Sequence, residues 1–218
     1  MTFSRDTVIR LIEEDKIIAI VRGYYDERAD RLAESLLCGG VRLMEFTFDQ
    51  KDPFSIIRAA ACIERLSSRF EGQMCFGAGT VMTVEQADLA AGAGARFIIS
   101  PDTCEEVIRR TLKHGLVSIP GALTPTEIAA ADRFGADFVK IFPADFVGPA
   151  YFKAVRAPIS HVKLLAVGGV GLDNLSAFLQ AGASGAGVGS ALFTKELIAE
   201  GAWDTVAENA RNLMEARG

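Results

Sequence analysis

The chain has 218 residues, half of them hydrophobic and 23% charged, with a formal net charge of −5. Mild acidity with scattered charges excludes the basic face of a nucleic-acid binder, and every apolar run breaks well short of the ~20 residues that cross a membrane. Cys38, Cys62, Cys75 and Cys104 lie far apart without a CxxC pair and read as small buried hydrophobes in a reducing compartment. The expectation is one domain over residues 1–218, in a cytoplasmic enzyme without nucleic-acid or membrane partners.

The opening "MTFSRDTVIRLIEEDK" reads as an amphipathic helix with acidic residues inside it, not as a signal peptide. Short apolar runs then alternate with helical patterns to the end. "KIIAIVR" (16–22) is a strand, followed by a helix whose Ala29, Leu32, Ala33, Leu36 and Leu37 share one face and which stops at Gly39–Gly40. "VRLMEFT" (41–47) and "QMCFGAGT" (73–80) are the next strands. A helix then opens with Thr83 and Gln86 in capping-box spacing. "ARFIIS" (95–100) and "GLVSIP" (115–120) follow, before a helix with Thr124 as N-cap, Pro125 at its first position and Glu127 in reach of the cap. The last strands are "DFVKIF" (137–142), "VKLLAVGG" (162–169) and "GAGVGS" (185–190), with "GLDNLSAFLQAGA" as a helix between the final two. Near-continuous apolar strands suit a parallel sheet covered on both faces. Eight βα units predict an α/β fold, a (β/α)8 TIM barrel with an N-terminal helix. A doubly wound open sheet is the competitor.

Barrel chemistry sits where the strands finish. Those ends carry Arg22, Glu45 to Thr47, Gly79–Thr80, Ser100–Pro101, Pro120–Gly121, Lys140 with Phe142–Pro143, Gly168–Gly169 and Gly189–Ser190. Lys140 stands among Val139, Ile141 and Phe142. It either snorkels its charge out or pairs with an acid, or desolvation lowers its pKa until the free amine attacks a carbonyl. A cation such as Arg22 would lower it further. Glu45, in "LMEFTF", is either a buried ion partner or an acid/base group raised by its apolar setting, and the two roles can coexist. "AVGGV" and "GVGS" occupy the positions where barrels often bind phosphate through backbone N–H groups, with Ser190 adding a hydroxyl. Thr80 either caps a helix or donates a hydrogen bond to an incoming carboxylate. His114 and His161 lack a second ligand at metal spacing, so no metal site is expected. Asp102, Asp132 and Asp137 read as caps and surface acids. No GxGxxG, P-loop or HExxH occurs.

"LMEFTF", "FGAGTV", "ISPDT", "SIPGALTPTE", "FVKIFPAD", "AVGGV" and "GVGSALF" together resemble the 2-keto-3-deoxy-6-phosphogluconate and 4-hydroxy-2-oxoglutarate aldolases, class I enzymes without a metal. The likeness runs in order from about Lys16 to Phe193. It implies a homotrimeric (β/α)8 lyase needing no cofactor, in which Lys140 forms a Schiff base with pyruvate and Glu45 moves protons. It also implies that Thr80 binds the pyruvate carboxylate, that Arg22 and Phe142 contact a phosphorylated keto sugar acid, and that Gly168, Gly169, Gly189 and Ser190 hold its phosphate. One departure stands out: many members carry an arginine where this chain has Asp49, so Arg22, Thr80 or Lys51 must compensate or the substrate differs. The related galactonate aldolases lack that arginine and share the look of "AVGGV", which keeps 2-keto-3-deoxy-6-phosphogalactonate open as substrate. A phosphosugar epimerase or isomerase, or a non-catalytic sugar-phosphate sensor, would use the same phosphate-binding barrel.

Overall fold

The computed structural model describes residues 3–218. All eight predicted runs form strands, trimmed at their ends: β1 (Ile17–Val21), β2 (Leu43–Thr47), β3 (Cys75–Gly79), β4 (Phe97–Ile99), β5 (Val117–Ile119), β6 (Gly121–Ala122), β7 (Val139–Ile141), β8 (Leu164–Val167) and β9 (Gly185–Val188). The fifth run divides into β5 and β6 at Pro120, which has no N–H for a ladder. Every ladder is parallel, in the order β5-β4-β3-β2-β1-β9-β8-β7-β6. Because β5 and β6 are one chain segment, the ring closes. The N–H of Asp137 donates to the Ser118 carbonyl at 3.0 Å and that of Lys140 to the Pro120 carbonyl at 2.8 Å. The fold is a (β/α)8 barrel, and the open sheet is set aside.

Helix α1 (Arg5–Asp15) precedes the barrel, and α2 (Glu27–Cys38), α3 (Pro53–Arg69), α4 (Val84–Gly92), α5 (Glu105–Lys113), α6 (Pro125–Arg133), α7 (Ala144–Arg156), α8 (Leu175–Gln180), α9 (Lys195–Glu200) and α10 (Trp203–Ala216) fill the outer layer. Side-chain caps start several of them, and the Thr124–Glu127 capping box forms as read. The Thr83–Gln86 box forms by half: Thr83 accepts the Gln86 N–H, but the Gln86 carboxamide takes the Met82 N–H at 2.8 Å.

The apolar core has two parts. One lies between strands and helices; the other fills the lumen with Ile18, Leu43, Phe97, Val117, Phe138 and Leu165, joined by Val8, Leu11 and Ile12 of α1. Helix α1 therefore seals the N-terminal mouth. Asp137 fixes it there and is no surface acid: its side chain is 7% exposed, with Arg5 at 2.6 Å and the Ser118 N–H at 2.9 Å. Burying a carboxylate demands such partners. Cys62 and Cys75 are buried as expected, whereas Cys38 is exposed and Cys104 only half-buried.

Candidate active site

β2 and β7 face each other across the ring, with three strands between them in either direction when β5 and β6 count as one. Leu43 and Phe138 point into the lumen, and side chains two residues on share that face. Glu45 and Lys140 therefore project inward one layer closer to the C-terminal rim. They are only 2% and 8% exposed. Above them lies a cavity of about 330 Å³ lined by Arg22, Glu45, Thr80, Lys140, Phe142, Gly168, Gly169, Gly189 and Ser190, the nine residues to which the resemblance gives a role. Thr47, Pro101 and Val167, with Ile20, Val170 and Gly187, complete its wall.

Burial pushes the Glu45 carboxyl up to about 7, against the opposing charges of Lys140 and Arg22. Its Oε2 has no hydrogen-bond partner. Only glycine next door permits this placement, since a Cβ at Gly79 would lie 1.4 Å from Glu45 Oε1. Burial likewise lowers the Lys140 pKa, and the Arg22 charge lowers it further while Glu45 opposes both. The Lys140 Nζ lies 4.7 Å from the centroid of the Phe142 ring, whose face favours the ammonium form. Burial thus favours the neutral amine more than water would, beside a carboxyl that can give or take a proton near pH 7. That pair suits attack on a ketone followed by dehydration.

The end of the cavity at the glycine turns is built from backbone. Gly168 and Gly169 have φ of 96° and 68°, left-handed values that glycine adopts without strain. A Cβ at Gly169 would also meet the Asp145 carboxylate at 2.4 Å. Asn174 latches this turn, donating to the Gly169 carbonyl and accepting from the Gly171 N–H, both at 2.9 Å. Sequence reading placed Asn174 inside a helix and gave it no role; its Asx-type spacing, three residues after Gly171, was the available signal. Thr47, also unassigned, donates to the Val21 carbonyl at 3.3 Å, and its own carbonyl accepts from the Tyr25 hydroxyl at 2.8 Å. These bonds tie the ends of β1 and β2 together. Asp49 turns away into a loop, where its Oδ1 accepts the Lys51 N–H at 2.9 Å. Lys51 does not line this cavity. It lines a neighbouring cavity of about 730 Å³ that shares Arg22. His114 sits 2.6 Å from Asp88 and His161 3.4 Å from Asp132, each beside a single acid. Among the described residues no three His, Cys, Asp or Glu side chains gather as a metal site would require.

The family model for KDPG and KHG aldolases matches residues 8–209. A 2-dehydro-3-deoxy-phosphogluconate aldolase of Treponema pallidum is 37% identical over 79% of this chain and 80% of its own length. A 2-dehydro-3-deoxy-6-phosphogalactonate aldolase of Escherichia coli is 35% identical over 81% of this chain and 84% of its own. The solved KDPG aldolase of Legionella pneumophila, with pyruvate captured as a covalent carbinolamine, superposes with a TM-score of 0.83 at 28% identity, covering 96% of this chain and 97% of that one. With its barrel, its buried lysine–glutamate pair and these relatives, the chain belongs to the KDPG and KHG aldolase family of carbon–carbon lyases.

Proposed function

We propose that this chain cleaves 2-keto-3-deoxy-6-phosphogluconate to pyruvate and glyceraldehyde 3-phosphate through a Schiff base on Lys140. The observation that carries this reading is the desolvated Lys140 amine across the lumen from a carboxyl poised near pH 7. The neutral amine adds to the C2 ketone, and Glu45 protonates the departing hydroxyl so that water leaves and an imine forms. The protonated imine takes up the C3–C4 bonding electrons as the C4 hydroxyl surrenders its proton. Glyceraldehyde 3-phosphate departs, the enamine gains a proton at C3, and hydrolysis frees pyruvate and Lys140. Arg22 and Thr80 hold the carboxylate end, Phe142 walls the substrate, and Gly168, Gly169, Gly189 and Ser190 receive the phosphate through N–H and hydroxyl donors.

The C4 epimer, 2-keto-3-deoxy-6-phosphogalactonate, is a second reading. It is favoured by Asp49, which leaves no arginine at that position, by Val167 of "AVGGV" on the cavity wall, and by the relative named for that substrate. Both epimers give the same products, so pyruvate release from each phosphate and from 4-hydroxy-2-oxoglutarate discriminates them. A kcat/KM on the gluconate epimer at least tenfold above the galactonate epimer supports the first reading, and the reverse order replaces it with the second. Epimerisation without pyruvate release would overturn both. The same proposal has residues 1–218 acting as one barrel in a cytoplasmic homotrimer. Exposed Phe54, Ile57 and Phe146 supply apolar surface for subunit contact, and sedimentation measures the assembly.

A further inference from the structure

Among the described residues Thr80 is one of two non-glycine residues with positive φ, at 57°, and it is the one that lines the Glu45–Lys140 cavity. A β-branched residue occupies this region only when its surroundings hold it there. Its neighbours are pinned through the backbone: the Phe48 N–H donates to the Gly79 carbonyl at 2.8 Å and the Val81 N–H to the Ile99 carbonyl at 3.2 Å. Thr80's own carbonyl is held by a side chain from another loop, accepting from Gln50 Nε2 at 2.7 Å. Gln50 is itself fixed, since its Oε1 accepts from Gln86 Nε2 at 2.8 Å while Gln86 Oε1 accepts the Met82 N–H at 2.8 Å. The turn that presents Gln50 is closed by Asp49, whose carbonyl accepts the Asp52 N–H at 3.1 Å and whose Oδ1 accepts the Lys51 N–H at 2.9 Å.

We propose that Gln50, braced by Gln86 and by the Asp49 turn, is a positioning residue that holds Thr80 in its left-handed conformation and so aims the Thr80 hydroxyl at the bound carboxylate. The hydroxyl has no hydrogen bond among the described residues, so the backbone conformation decides where the side chain enters the cavity. The inference rests on the pyruvate-binding reading above. It accounts for an acid at position 49: Asp49 shapes the turn that delivers Gln50.

The test is borohydride trapping of pyruvate on the full chain, read as the half-saturating pyruvate concentration and the maximal trapping rate, with melting temperature measured alongside. Gln50→Ala is expected to raise the half-saturating concentration about three- to tenfold, the scale of one neutral hydrogen bond, with the maximal rate within about twofold. Gln50→Glu keeps the shape but loses the donor, and is expected to do at least as much. In a Thr80→Gly background, where φ > 0 costs little, Gln50→Ala should change the concentration by less than about twofold. The melting temperature should show the same coupling, falling by about 2–4 °C on Gln50→Ala only when Thr80 is present. Unchanged half-saturation in Gln50→Ala, wild-type behaviour in Gln50→Glu, or equal effects in both backgrounds would overturn the assignment. Should the wild type itself fail to trap pyruvate, the aldolase reading falls, and the melting-temperature cycle judges the clamp: coupling supports it, additivity refutes it.

Discussion

The two ends of the barrel obey opposite rules. At the N-terminal mouth the lumen is apolar, α1 covers it with Val8, Leu11 and Ile12, and its acids are satisfied: Asp137 by Arg5 and the Ser118 N–H, and the buried Asp15 by Arg42. At the C-terminal mouth Glu45 is buried with an unpartnered oxygen, Lys140 is stripped of most of its water, and Thr80 holds a left-handed φ. The same strands run through both ends. What differs is whether polar groups are partnered by the protein or left for a ligand, and this separates the end that supports folding from the end that supports chemistry.

The comparison breaks most readily at Lys140. Lys140→Ala is expected to lower kcat/KM for pyruvate release by about 10⁴-fold or more, the scale on which a covalent nucleophile is lost, while folding is retained. Activity within tenfold of wild type would place the imine elsewhere. Glu45→Gln should cost about 10²–10⁴-fold in kcat, with imine trapping slowed but not abolished.

The same variant sharpens the comparison through stability. The folded-state pKa of Glu45 is raised from 4.5 to about 7, so the native state holds this proton more tightly than the unfolded chain. Wild type therefore loses stability as pH climbs through that window, by about 3 kcal/mol once Glu45 is fully ionised. Glu45→Gln is expected to be more stable than wild type at pH 8 by an amount of that order, and the gain should vanish below about pH 5 in urea melts. A gain independent of pH would contradict the assignment of the strain to this carboxyl. At the opposite end Ile12→Ala should cost about 2–5 kcal/mol of stability and leave kcat/KM per folded molecule unchanged. Gly79→Ala combines the two effects: overpacking against Glu45 should cost about 1–3 kcal/mol, and displacing the carboxyl should lower kcat as well.

Much of this was readable before any coordinates. Near-continuous apolar runs and capped helices between them located all eight βα units, and the rule that barrels work at strand ends picked out Glu45, Lys140 and the glycine turns. What escaped reading depends on contacts between distant segments. Nothing near Asp137 in the chain shows that Arg5 lies against it, and Pro120 alone does not show that a strand divides there while the ring still closes. The glycine of Gly79 looked like one turn residue among many until Glu45 was seen to fill its missing side chain. Asp49 looked like a lost binding residue, whereas its side chain closes the turn that carries Gln50 to the Thr80 carbonyl.

The central claim is that the Lys140 amine, dehydrated by the lumen, captures the ketone. Borohydride reduction in the presence of pyruvate, followed by peptide mass analysis, tests it directly. The account predicts one reduced pyruvyl adduct on the peptide containing Lys140, saturating with pyruvate and accompanied by loss of activity. Full activity after reduction, or an adduct confined to any other lysine, would contradict it.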